Sequence, residues 1–410
     1  MLSAEDNARL TGVGRGTPMG ELMRRYWQPI AAVAQLDEQP TLAVRLLGED
    51  LVLYRDTEGR YGLLDRHCAH RRADLSYGTV EACGLRCHYH GWLFDGSGAC
   101  LEQPFEEAAR PEARFKDKIR LAAYPVEAKG GLLWAYLGPA PAPLVPDWGL
   151  FHQPGYKQIV FSEIPCNWVQ GQENSIDPVH FEWLHSNWSA AQRGDATRAP
   201  RHLKIAFEEF EWGFTYRRVR EDTTEADELW TVGRVCLWPN CLYTGKFEWR
   251  VPIDDERTLH VAWFNDPVPG SAPFEQARIP YWRGPIQDPA TGRFLTSHIM
   301  NQDFVAWIGQ GAVADRTKEH LGESDRGVIL MRRRLLEEAE IVARGGDPKA
   351  VIRDAAKNRR LELPTIREGR GAAVRPPDAP RPMVFHAGQP QAIIDEMRRI
   401  WAERAAGAGR

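Results

Sequence analysis

The chain has 410 residues, 43% hydrophobic and 26% charged, with a formal net charge of −4. Such a chain buries full cores in two or three domains, or in one large domain with an inserted module. The balance of charge gives no sign of a nucleic-acid or anionic-membrane partner.

No apolar run approaches the roughly 18 residues that span a bilayer. The start, Met1-Leu2-Ser3-Ala4-Glu5-Asp6, lacks a basic segment followed by an apolar one, so no signal peptide is expected and a cytoplasmic location is. Seven cysteines, an odd number, argue against a disulfide framework.

Residues 19–29 place Leu22, Met23, Tyr26 and Trp27 on one stripe with Arg24 and Arg25 opposite, which predicts a packing helix. From residue 42 the pattern changes to strands, with 42–47 and 51–54 flanking Gly48-Glu49-Asp50 and a further run after Glu58-Gly59. Then come Cys68-Ala69-His70 and Cys87-His88-Tyr89-His90. Each half offers one Cys and one His. The two thiolates can hold one iron and the two imidazoles another, bridged by sulfides, which is the Rieske 2Fe–2S ligand set. A tetrahedral zinc site is the rival, but zinc fingers pair Cys with Cys and His with His along the chain. Cys83 reads as a small buried hydrophobe and not as a ligand. This β domain is expected to close near a strand at 132–137, and the Pro-rich residues 139–146 read as a linker.

A second unit begins around Trp148. A strand at 159–161 leads through Pro165 into a helical stretch ending near His185. Strand runs follow at 203–220, 229–237, 243–251 and 258–264, and helices at 297–310, 325–344, 347–359 and 391–405. Strands followed by helices predict an α+β domain around an antiparallel sheet. Low complexity is confined to the linker and residues 376–382. No Gly-rich nucleotide fingerprint follows a strand, so NAD(P)H and flavin must bind elsewhere.

The helical stretch carries His180 and His185 among carboxylates, which suits a 2-His-1-carboxylate iron site. Five residues apart, the two histidines diverge by roughly 140° on a regular helix. The spacing therefore predicts a π-type bulge or kink between them. Asp177 precedes Pro178, and its simplest local role is a helix N-cap. The third ligand should be a carboxylate far along the chain. Asp303, the one acid in the apolar and amide-rich residues 301–311, is the first choice because burying it demands compensation. Glu182 and Glu173 stay open, since spacing does not separate them.

With both sites in view, the sequence resembles the oxygenase (α) subunit of Rieske non-haem iron aromatic-ring oxygenases. The likeness runs through Cys68, His70, Cys87 and His90, then Asn174, Asp177, His180 and His185, then Asp303. It is most similar to the phthalate dioxygenase branch, which includes O-demethylases of methoxylated aromatic acids such as dehydrodivanillate. Gly16-Thr17-Pro18-Met19-Gly20, Arg24-Arg25-Tyr26-Trp27 and residues 314–321 are in keeping with that branch. Arg72 stands where many relatives carry Gly.

The resemblance implies an α+β fold: a Rieske β domain at 41–147, a helix-grip catalytic domain at 148–410, and residues 1–40 packing on the latter. It implies Fe(II) held by His180, His185 and Asp303, O₂ as co-substrate and a small aromatic substrate. A separate NAD(P)H-dependent flavin/iron–sulfur reductase would supply electrons. It also implies a homotrimer in which one subunit's cluster reduces its neighbour's iron, with Asp177 bridging His90 across the interface to His180.

Two other classes stay open: a plain Rieske electron carrier, against which the long stretch beyond residue 147 speaks, and a Rieske oxygenase of a quaternary amine or sterol. A cationic substrate needs an aromatic cage, and an aromatic acid needs a buried Arg or Lys at the pocket. Arg193, Arg198 and Arg201 read as solvated loop residues.

Overall fold

A computed structural model describes residues 2–270, 274–366 and 381–408; residues 376–380 of the second low-complexity stretch lie outside them. Thr17 accepts a hydrogen bond from Gly20 N, Pro18 fills the first turn, and the first packing helix runs only over Pro18–Met23. The chain then bends into the strand Gln28–Ala32, which pairs antiparallel with Leu132–Ala135. That strand also pairs with Val126–Lys129. Residues 132–135, near which the β domain is expected to close, are the middle strand of this arrangement. They are buried along their whole length and take a partner on each edge, in a separate three-stranded sheet. Arg24 does not face solvent either: it is 3% exposed, with Nη1 2.6 Å from Glu49 Oε1.

The β domain is two four-stranded antiparallel sheets. Thr41–Leu46, Glu49–Arg55, Tyr61–Asp65 and Ala123–Tyr124 make the first. Its leading hairpin turns at Leu47 and Gly48, both left-handed (φ 51° and 79°), matching the twist of the strands. Thr79–Glu81, Gly84–Arg86, Leu93–Phe94 and Cys100–Glu102 make the second. Val52, Tyr54, Leu64, Leu75, Leu85 and Phe94 pack between them. Cys83 is exposed, not buried. Glu81 pairs with Gly84, which leaves Ala82 and Cys83 as the tip of the turn.

The second unit is built on an eight-stranded sheet. Its order is His202–Phe210, Gly213–Arg220, Arg234–Leu237, Cys241–Tyr243, Phe247–Pro252, Thr258–Asp266, Tyr156–Ile164 and Tyr281–Arg283. All neighbours are antiparallel except the last pair. Residues 229–237, expected as one strand, start instead with a helical turn, Glu228–Thr231, whose Thr231 N bonds Asp227 O. The helix Trp168–Ile176 lies across Cys241–Tyr243 and Phe247–Pro252, flanked by the helices Ile299–Ile308 and Arg326–Ala343.

Residues 347–359 are not helical beyond the turn Ala355–Lys357. Pro348 removes a donor and Ala350 is left-handed, with φ 65°. This segment lines the Pro-rich stretch, where Leu144 N donates to Ile352 O at 2.8 Å. The N-terminal residues dock on the second unit: Asn7 Nδ2 donates to Ala314 O at 3.0 Å and Trp238 Nε1 to Tyr26 Oη at 2.8 Å. No helix among the described residues is long and apolar enough to cross a membrane.

Candidate metal centres and substrate cavity

Two loops leave the β domain side by side. Cys68 N donates to Ala73 O and Arg72 N to Cys68 O, both at 2.9 Å; Cys87 N donates to Trp92 O at 2.8 Å and Gly91 N to Cys87 O at 3.0 Å. Each loop folds back on its own cysteine. Gly91 has φ 75° and Arg72 φ 61°; both are left-handed, where glycine pays no Cβ penalty and arginine does.

Cys68 and Cys87 end up 1% and 2% exposed, while His70 is half-buried and His90 exposed. A hydrogen bond with Cys68 lowers the Cys87 thiol to about 5, helped by the backbone N–H groups of Tyr89 and His90. The same bond, and then burial, pushes Cys68 up. One thiolate is thus already favoured, the form that binds metal.

The His70 and His90 ring centroids are 4.4 Å apart, His70 stacks on Trp92, and His70 Nδ1 is buried without a partner. These four donors do not converge on one point. Among the described residues, the one group of three or more His, Cys, Asp or Glu donor atoms lying within 4.8 Å of one another is elsewhere. That spread disfavours a single tetrahedral zinc and fits a ligand set shared between two metals.

The converging group is His180, His185 and Asp303. The helix Trp168–Ile176 stops at Asp177, whose backbone is extended (φ −87°, ψ 115°) because the following Pro178 disfavours the helical conformation there. Asp177 Oδ1 accepts from Val179 N at 2.7 Å, the expected capping bond. The chain then winds as a π-helix over Phe181–Asn187. The wider i→i+5 winding swings residues five apart toward one side, and the rings of His180, at its start, and His185 come to 5.2 Å between centroids.

The facing helix, Ile299–Ile308, supplies Asp303, 4% exposed. Asp303 Oδ1 lies 3.2 Å from His185 Nε2 and 3.8 Å from His180 Nε2. Asn174 Nδ2 donates to the same oxygen at 3.2 Å, and His185 Nδ1 sits 3.1 Å from Gln302 Oε1. The latter contact favours the tautomer that turns the lone pair of His185 Nε2 toward Asp303. His185 Nε2 itself is buried with no hydrogen-bond partner. Burial pushes the Asp303 carboxyl up, but the nearby imidazoles, His185 first and His180 behind it, hold it below its ordinary value. Two imidazoles and an ionised carboxylate on one side of a point fit a mononuclear iron.

The alternatives are committed elsewhere. Glu173 is clamped by Arg316 at 2.8 and 2.9 Å and by Arg332 at 2.6 Å. Glu182 Oε2 accepts from His202 N at 2.8 Å. Of the loop arginines, Arg201 pairs with Glu221 and Arg198 lies over Trp183.

A cavity of about 390 Å³ opens beside His180, His185 and Asp303, and its wall includes Phe181, Tyr216, Arg234, Lys246, Glu248 and Arg381. Lys246, just ahead of the strand Phe247–Pro252, and Glu248 and Arg250 within it alternate in sequence and are all at most 2% exposed; Lys246 and Arg250 both pair with Glu248. Sequence reasoning passed over Arg234, Lys246 and Glu248. Period-2 charges on a strand are the ordinary signature of a solvent face, and only the fold shows this face turned inward.

The Rieske [2Fe-2S] domain family matches residues 26–125, and the family described as LigXa C-terminal domain like matches residues 286–362. Over 370 residues the chain is 60% identical to the 5,5'-dehydrodivanillate O-demethylase oxygenase subunit of Sphingobium sp., covering 89% of this chain and 87% of that one. It is 33% identical to the phthalate 4,5-dioxygenase oxygenase subunit of Pseudomonas putida, covering 82% and 86%. Among solved structures it is similar to Pseudomonas putida CBB5 NdmA, with a TM-score of 0.57 and 22% identity over 80% of this chain and 94% of that one.

The family match and these relatives make the chain a Rieske-type oxidoreductase that uses a 2Fe–2S cluster, mononuclear non-haem iron and O₂. The chain belongs to the oxygenase (α) subunits of the Rieske non-haem iron aromatic-ring oxygenases. As an oxygenase subunit it depends on a separate protein for electrons.

Proposed function

We propose that this chain oxidises a carboxylated or methoxylated aromatic compound, by O-demethylation or by ring hydroxylation. The carrying observation is one cavity bordered by the His180–His185–Asp303 group, in a chain that also presents the Cys68–His70 and Cys87–His90 loops. The 60% identity to an O-demethylase oxygenase subunit favours O-demethylation.

In this reading Cys68, His70, Cys87 and His90 hold the cluster, and His180, His185 and Asp303 hold the iron. Residues 41–147 form the cluster domain, residues 148–410 the catalytic domain, and residues 1–40 pack on the latter. When bound, the cluster supplies electrons and the iron activates O₂. The chain's own residues set the geometry: Asn174 holds Asp303 Oδ1, Gln302 orients His185, and the cavity wall seats the substrate beside them. An NAD(P)H-dependent flavin/iron–sulfur reductase is the electron donor, and the protein works in the cytoplasm.

A homotrimer is the assembly this arrangement calls for. His90 stands at an exposed tip with Tyr89 and Tyr77, 52% and 75% exposed. Asp177 and His180 line a surface cavity of about 470 Å³ into which a neighbour's tip would fit. Asp177 would then link His90 of one subunit to His180 of the next.

The test is turnover by the iron-loaded chain with a reductase, NADH and a methoxylated aromatic acid. Formaldehyde release matching O₂ uptake establishes demethylation. A diol without formaldehyde establishes ring dioxygenation, and neither product from a panel of aromatic acids and methoxy-aromatics overturns the aromatic reading.

A further inference from the structure

Three basic side chains stand in the wall of the cavity beside His180, His185 and Asp303: Arg234, Lys246 and Arg381. Lys246 is matched by Glu248, and Arg381 donates from Nη1 to Gly245 O at 2.9 Å. Arg234 differs. It is 3% exposed, and its Nη2 is buried without a hydrogen-bond partner. Its Cζ lies 4.4 Å from the centroid of the Phe181 ring.

A cation over a ring face recovers only part of what a guanidinium loses on leaving water. A buried guanidinium with an open N–H group, facing a cavity, is a receptor for an anion. Its planar fork suits a carboxylate bound at two points.

We propose that Arg234 is a specificity-determining residue that binds the carboxylate of an aromatic acid. This rests on the reading of the cavity as the substrate site of an aromatic-compound oxygenase. The position of Phe181 adds a direction. Its ring centroid is 4.7 Å from that of His180 and 4.9 Å from that of His185, so the ring that Arg234 stands over also borders both imidazoles. A carboxylate held by Arg234 turns the far edge of the substrate ring toward the histidines. The meta and para substituents face them, and the ortho positions stay beside Arg234.

The experiment compares anaerobic binding of 4-methoxybenzoate and 4-methoxybenzamide to the iron-loaded protein, by titration calorimetry, in wild type, Arg234→Gln and Arg234→Lys. Retained iron in each variant verifies the site. Arg234→Gln is expected to weaken the acid by about tenfold or more, the scale of a charged hydrogen bond, and the amide by less than about twofold. Arg234→Lys, which keeps the charge but not the fork, is expected to fall between. A second readout is regiochemistry, with 3- and 4-methoxybenzoate turned over and 2-methoxybenzoate not.

Equal losses for acid and amide would show a packing role through Phe181 and overturn the assignment, as would no loss for either. Wild-type protein that binds neither probe would overturn the aromatic reading, and the proposal with it.

Discussion

Asp177 Oδ2 lies 3.6 Å from His180 Nδ1, on the side of the ring away from Asp303. The contact is too long for a hydrogen bond, and His180 Nδ1 is buried without one. The other oxygen, Oδ1, is already spent on Val179 N. One carboxylate therefore both starts the turn that carries His180 and stands behind the imidazole. Asn at position 177 keeps the cap, since its carbonyl accepts equally well, but loses the charge. Asp177→Asn should retain full iron and acid-labile sulfide while product formation falls about 10–100-fold, the usual scale for a residue that orients a ligand. Metal analysis alongside steady-state turnover checks this; normal turnover would remove Asp177 from the electron route.

The Glu173 clamp has a structural job. Burial pushes its carboxyl up, but the charges and hydrogen bonds of Arg316 and Arg332 outweigh that and hold it below its ordinary value of 4.5. A group lowered on folding stabilises the protein above its unfolded value, and that stabilisation is lost as pH falls toward the folded value. Glu173→Gln leaves two buried guanidinium groups short of a partner and should cost about 3–5 kcal/mol. Urea unfolding from pH 7 down to pH 4 should show the wild type losing stability and the variant changing less.

Arg72 holds a left-handed backbone in the first cluster loop, with its Nη1 3.4 Å from Asp65 Oδ2. That exposed contact contributes little, whereas the conformation costs about 1 kcal/mol or more in a residue with a Cβ. Arg72→Gly should retain its cluster absorbance to a higher temperature, by a few degrees. A lower temperature would mean that the Asp65 contact outweighs the backbone term.

How far the sequence carries can be traced through particular residues. Cys68, His70, Cys87 and His90 are legible because their spacing is unusual and local. The π-helix is legible because two histidines five apart cannot share a metal on a regular helix. Asp303 stands out as the lone acid in a stretch that has to be buried. Arg234, Lys246 and Glu248 are hidden, because which face of a strand turns inward depends on tertiary packing, and a charged face looks like a wet one. The three-stranded sheet is hidden for a related reason. Its register joins Gln28 to Ala135 across the whole β domain, and nothing local encodes that pairing.

The most direct test of the two-centre account is iron stoichiometry with spectroscopy in wild type, Asp303→Ala and Cys87→Ala. Wild type should hold the cluster's two irons and two sulfides plus one further iron. Asp303→Ala should keep the reduced-cluster electron paramagnetic resonance signal and lose the further iron alone, while Cys87→Ala should lose the cluster. An Asp303→Ala protein that keeps all of its iron, or that loses the cluster along with it, would contradict the account.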